Sequence, residues 1–177
     1  MAVAQLWIVR RMSDIISKLK TPEECATLEK NALERGNTDL AVQARKRAIE
    51  MRAQSHCATN QAERECLEAV YAYERVLSEQ RHRTTRALRT WQMIKRHGII
   101  GAVERAVNRP TETSGYRALV EMGLEQYAFE AVILRHPQVF SAEAVERSRQ
   151  RISQPHAPNK SLQATPKAFG AAPASCD

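Results

Sequence analysis

Apolar residues recur at helical spacing over residues 13–152, and the longest run of that pattern occupies residues 59–97. Advancing about 100° per residue, Ala62, Cys66, Ala69, Val70, Tyr73, Val76, Leu77, Ala87, Leu88, Trp91 and Ile94 fall within an arc of about 120°. Thr59 or Asn60 can cap the run, and Gly98 closes it. No Gly or Pro interrupts it, so the pattern predicts a single or gently bent rod, about 58 Å long at about 1.5 Å per residue. Gln80 and Thr84 lie in the same apolar arc. They mark residues 78–83 as the place where a break would come, because ordinary globular helices seldom exceed about 25 residues.

Upstream, Thr21-Pro22-Glu23-Glu24 announces a helix. Thr21 can cap, Pro22 gives up no hydrogen bond at the first helical position, and Glu24 completes a capping box. Cys25, Leu28, Ala32 and Leu33 form its stripe, and Gly36 ends it by accepting a left-handed backbone. A second helix starts at Asn37 or Thr38, with Leu40, Ala41, Ala44, Ala48 and Met51 on one face. With Gly36, Ala41, Ala44 and Ala48 so placed, the hairpin resembles one tetratricopeptide-type unit. It lacks that family's large aromatic positions, and no second copy follows at a period of about 34 residues. The family's peptide groove is therefore not carried over.

Downstream of Gly98 the pattern predicts four further helices. The first carries Ile99, Ile100, Val103, Ala106 and Val107 and stops before Pro110, which excludes the helical conformation at Arg109. The second opens at Gly115-Tyr116 and ends at Gly123. The third is one helix over residues 124–136, stopped by Pro137. The fourth is capped by Ser141, with Ala144, Val145 and Ile152 packing and Arg147, Arg149 and Arg151 facing outward. Residues 153–177, with four prolines among Ala, Ser and Gln, read as a disordered tail, and residues 1–12 as a flexible or loosely docked N-terminus.

Charge changes the picture. The chain carries a formal +7, and between Arg81 and Arg96 there are six Arg/Lys and no acid. On a rod, Arg81, Arg86, Arg89 and Arg96 spread over the side opposite Ala87, Trp91 and Ile94, while Arg83 and Lys95 flank the apolar arc. Tyr71 is the one aromatic on the polar side. Such a stripe can follow a phosphate backbone, with binding that weakens as salt rises. Arg147 and Arg151 would be accessory contacts. A helix-turn-helix over residues 115–136 fits poorly, because its second helix is apolar and acidic at Glu125 and Glu130.

Reaction chemistry has little to stand on. The chain has no glycine-rich phosphate loop, no HExxH and no GxSxG. Glu79 and His82 lie three residues apart, but read more simply as local electrostatics. His56, Cys57 and Cys66 offer no set of zinc ligands. Aromatics make up 5% of the chain and many apolar positions are alanine, so the core is expected to be thin helix-on-helix packing.

The expectation is an all-α helical bundle built around one long central helix, with an N-terminal hairpin over residues 13–56 and a cluster of short helices over residues 99–152. Its function would be that of a non-enzymatic binding or regulatory module, contacting nucleic-acid phosphates through Arg81, Arg86, Arg89, Arg96, Arg147 and Arg151. The alternative is a protein-interaction adaptor or homodimer that uses Tyr73 and Trp91. Neither cofactor, metal, membrane nor small-molecule substrate is indicated, and a reducing cytoplasm is the default setting.

Overall fold

The computed structural model describes residues 12–109 and 114–153, and no strand occurs among them. Residues 12–17 form a short helix, α1. The hairpin follows as α2 (Pro22–Glu34) and α3 (Thr38–Gln54). Thr21 Oγ1 accepts from the Glu24 amide at 3.2 Å, and Glu24 Oε2 accepts from the amides of Lys20 and Thr21, which completes the capping box. Gly36, at φ 70°, makes the left-handed turn, and Asn37 Oδ1 accepts from the Leu40 amide to open α3.

Next come α4 (Gln61–Gln80), α5 (Leu88–Val107), α6 (Ser114–Glu121), a 3-10 turn (Glu125–Tyr127), α7 (Phe129–Arg135) and α8 (Ala142–Ser153). The chain is an all-α bundle, and α4 is its hub: α3, α5, α6, the 3-10 turn and α7 all pack on it. One core joins Cys66 and Ala69 of α4 to Val103 and Val107 of α5, Val132 and Ile133 of α7, and Ala144 and Val145 of α8. A second joins Ala72 and Val76 of α4 to Ile49 of α3, Leu119 of α6, Leu124 and Tyr127. Because α4 is covered on two sides, its buried surface is wider than the apolar arc of the sequence and takes in Leu67, Ala72 and Glu74.

Two predicted helices are broken. The rod over residues 59–97 ends at Gln80, and residues 81–87 form a loop before α5. Continued as helix, the chain would have turned Gln80 and Thr84 into the core, and buried polar groups without partners are costly. Gln80 and Thr84 are exposed instead. The segment 124–136 is likewise divided. Ala128 is extended (φ −62°, ψ 142°), which lets Leu124 and Tyr127 enter one core while Val132 and Ile133 enter the other. Gly98, predicted to close a helix, sits within α5 at φ 72° and ψ 173°. That is a region open in practice only to glycine, and it kinks the helix into residues 88–97 and 99–107.

A buried carboxylate ties the hairpin to the body. Glu29 Oε1 of α2 accepts from Arg45 Nε at 2.8 Å and from Arg75 Nη2 of α4 at 2.9 Å, and pairs with Arg45 Nη2 at 2.7 Å. Arg45 Nη1 also donates to the Met122 carbonyl at 2.9 Å, so one cluster joins α2, α3, α4 and the end of α6.

Glu68, half-buried on α4, gives a pH signature. Burial first, and then the neighbouring Glu50 and Glu65 carboxylates, push its pKa from the ordinary 4.5 to about 7, against Arg64 and Arg135. The folded state therefore holds this proton more tightly than the unfolded chain. The resulting stability is fully present below 4.5 and is lost as pH rises through about 7. Thermal unfolding measured from about pH 5 to pH 8 should show a falling midpoint across that window. Glu68→Gln should flatten the fall and raise the midpoint at the alkaline end. A slope unchanged in the variant would remove Glu68 as its source.

Candidate functional site

The break between α4 and α5 is built by side chains of α4. Glu74 Oε1 accepts from the Ala87 amide at 2.9 Å and from the Trp91 indole N–H at 2.7 Å, so one carboxylate holds both the start of α5 and a residue one turn along it. Its charge also lies at the positive end of that helix. Four residues on, Ser78 Oγ donates to the Glu74 carbonyl at 2.7 Å and accepts from the Thr85 amide at 2.9 Å. Between these anchors the chain turns through His82, whose φ of 50° is the left-handed conformation.

The loop and the first turn of α5 divide the basic block, which is therefore not the predicted stripe along one rod: Arg81, Arg86 and Arg89 border one cavity, and Arg83 borders another hollow with Arg75 and Glu79. Arg81, Arg83, Arg86 and Arg89 are all exposed, and Arg86 keeps 65% of its side chain in solvent. The Arg86 guanidinium lies 5.7 Å from the Trp91 ring centroid and 3.9 Å from Glu74, a cation–π contact that orients it without burying it. Arg96 is exposed farther along α5.

Arg81, Arg86 and Arg89 help line a cavity of about 510 Å³ between α4, α5, α6 and the 3-10 turn. Tyr73 and Leu77 of α4, Met93 and Val107 of α5, Leu119 of α6 and Phe129 form much of its wall. Arg109 is a fourth guanidinium in its lining, and Leu88, 64% exposed, stands beside the arginines. Glu130 also lines it, but is paired with Arg151 at 3.0 Å. Burial pushes the Tyr127 hydroxyl in the same wall up to about 12, so it stays protonated.

The other candidates divide. Arg147 and Arg151 do not face outward as predicted. Arg147 Nη1 donates to the Asn108 carbonyl and Arg151 Nη2 to that of Arg109, so α8 cations satisfy the end of α5, where the helix dipole favours positive charge. Arg151, 14% exposed, is the inner partner of Glu130, and neither residue joins the exposed basic block. Tyr73 and Trp91, predicted to share a partner surface, serve different faces of α4. Tyr73 lines the cavity, whereas Trp91 stacks on His56 with centroids 5.2 Å apart and meets Tyr71 edge-on at 5.6 Å. Tyr71 is therefore half-buried, and its hydroxyl lies 2.5 Å from His56 Nε2.

Glu79 and His82 make no side-chain pair, in keeping with their reading as local electrostatics. Glu79 meets Arg75 at 3.3 Å, and the bond between residues 79 and 82 joins their backbones. Cys25 and Cys66 are buried, and burial pushes the Cys66 thiol up to about 12, which keeps it neutral. Among the described residues, no helix is long and apolar enough to cross a membrane.

Comparison with protein-family models, curated proteins and solved structures returns no match for this chain.

Sequence reasoning missed the cavity and both internal carboxylates. A signal for the carboxylates was present: Glu29 lies between Cys25 and Ala32 on the apolar stripe of α2, and Glu74 between Val70 and Leu77 on that of α4. An acid inside an apolar stripe calls for a buried partner.

Proposed function

We propose that the protein is a non-enzymatic binding module that contacts nucleic-acid phosphates through the basic surface of residues 81–89, continued along α5 by Lys95 and Arg96. The observation that carries this reading is the exposure of Arg81, Arg83, Arg86 and Arg89 on one braced loop and helix start. The nearby carboxylate, Glu74, accepts from the Ala87 amide and the Trp91 indole and reaches Arg86 only at 3.9 Å, while Arg86 stays exposed to an outside anion. Arg81, Arg86, Arg89 and Arg96 would engage three or four phosphates. Log affinity against log salt should then fall with a slope of about −3 on duplex DNA.

Anisotropy of a labelled mixed-sequence oligonucleotide at about 50 mM salt tests the reading. Binding with that slope is expected, and Arg86→Glu combined with Arg89→Glu should abolish it while the helical circular dichroism is kept. Absence of any anisotropy rise with the unmodified protein would refute it. A protein partner or second copy is the alternative occupant, favoured by Leu88 lying 64% exposed beside the arginines. That reading predicts association that persists after both charge reversals and is lost on Leu88→Asp, as read by sedimentation.

A further inference from the structure

The geometry points to a ligand beyond nucleic acid: the cavity that the arginines help line takes a small amphipathic anion, an apolar chain or ring ending in one carboxylate, sulfonate or phosphate. Its volume of about 510 Å³ lies within the range of small-molecule sites, about 300–1,000 Å³. The lining asks for two kinds of chemistry. Leu77, Met93, Val107, Leu119 and Phe129 offer apolar surface, interleaved with the tyrosines of the lining, which suits a hydrocarbon or aromatic body. Arg81, Arg86, Arg89 and Arg109 add positive charge to the same lining. The lining acid, Glu130, is already neutralised by Arg151, so it does not repel an incoming anion.

A sugar–phosphate backbone can meet the arginines but cannot cover these walls, so the cavity selects a ligand that does both. Nor is the space free to close up. Glu74 and Ser78 brace the start of α5 against α4, and Arg147 and Arg151 hold its far end to α8. The apolar side chains of a cavity kept open in this way lack dispersion partners on their inner side, and a matching apolar group restores them.

Titration calorimetry of the full chain with sodium laurate, below its micelle concentration, tests the inference. Acetate serves as the headgroup without the tail, and lauryl alcohol as the tail without the charge. Laurate should bind once per chain and acetate not at all, with lauryl alcohol weaker than laurate by about tenfold or more. Ala106→Phe, which fills the cavity from a half-buried position in its lining, should weaken laurate by about tenfold or more and leave the oligonucleotide affinity unchanged. Thr90→Trp, also in the lining, provides the same test should Ala106→Phe misfold.

No heat with laurate, several equivalent laurates per chain, or unaltered laurate binding in a folded filled variant would overturn the inference. Loss of oligonucleotide binding alone would leave it standing, and loss of laurate binding alone would leave the phosphate reading standing.

Discussion

Glu29→Ala should destabilise the fold by about 3–5 kcal/mol, a large part of the margin of about 5–15 kcal/mol that holds a typical domain together. The Glu29 side chain is 6% exposed and that of Arg45 is 11% exposed, so removing the carboxylate leaves a guanidinium held inside the protein without its counter-charge. Arg75 loses the same partner, but at 35% exposure it can turn toward Glu79 and water. Arg45 keeps only the Met122 carbonyl. Glu29→Gln should cost less than Glu29→Ala, because it retains an acceptor. The double change Glu29→Leu with Arg45→Met should recover much of the loss, since an apolar pair of similar volume removes the buried charge. Urea unfolding of the three variants checks the order. A loss below about 1 kcal/mol for Glu29→Ala would place the cluster among ordinary surface pairs.

Glu74→Ala should cost about 2–4 kcal/mol, with the damage centred on the junction of α4 and α5. It removes two hydrogen bonds to an ionised acceptor, each worth about 1.5–3 kcal/mol before the site relaxes. The Arg86 contact adds little, because at 3.9 Å and 65% exposure solvent screens it. Without Glu74 the start of α5 loses its brace and Trp91 its indole partner, so the loop that carries the arginines should loosen. Hydrogen exchange should quicken from residue 83 to residue 91 before it does in α2 or α3, and the Trp91 fluorescence should shift to the red. Oligonucleotide affinity should fall less than with Arg86→Glu and Arg89→Glu, because the charges remain and only their arrangement is lost. Exchange that quickens evenly over the whole chain would show Glu74 to be a global, not a local, support.

Much of the fold is legible in the sequence where signals are local. The capping box at Thr21 and Glu24, the turn at Gly36, the interruption at Gly98, read as a helix end and found as a kink, and the stops at Gly123 and Pro137 depend on dihedral freedom and hydrogen bonds within a few residues. The basic block was legible too, as composition. What failed was the extrapolation of a 3.6-residue period across residues 78–88. Gln80 and Thr84 carried the warning, but periodicity alone does not weigh a left-handed His82 against the burial of two polar side chains. The reading of Arg147 and Arg151 failed for a related reason. Their partners at Asn108, Arg109 and Glu130 lie about 20 to 40 residues away in the chain, beyond the reach of any spacing rule.

The sequence by itself determined that this protein is helical, where most of its helices start and stop, and that one stretch carries positive charge without acids. Those properties follow from backbone propensity and from residues close together in the chain. Tertiary structure alone decided that the basic stretch is divided between a loop and α5, that Glu29 and Glu74 are internal anchors, and that three of the arginines line a cavity. The physical reason is that burial belongs to surfaces brought together from distant parts of the chain. Whether an acid is costly, or a gap between α4 and α5 stays open, depends on which groups meet there.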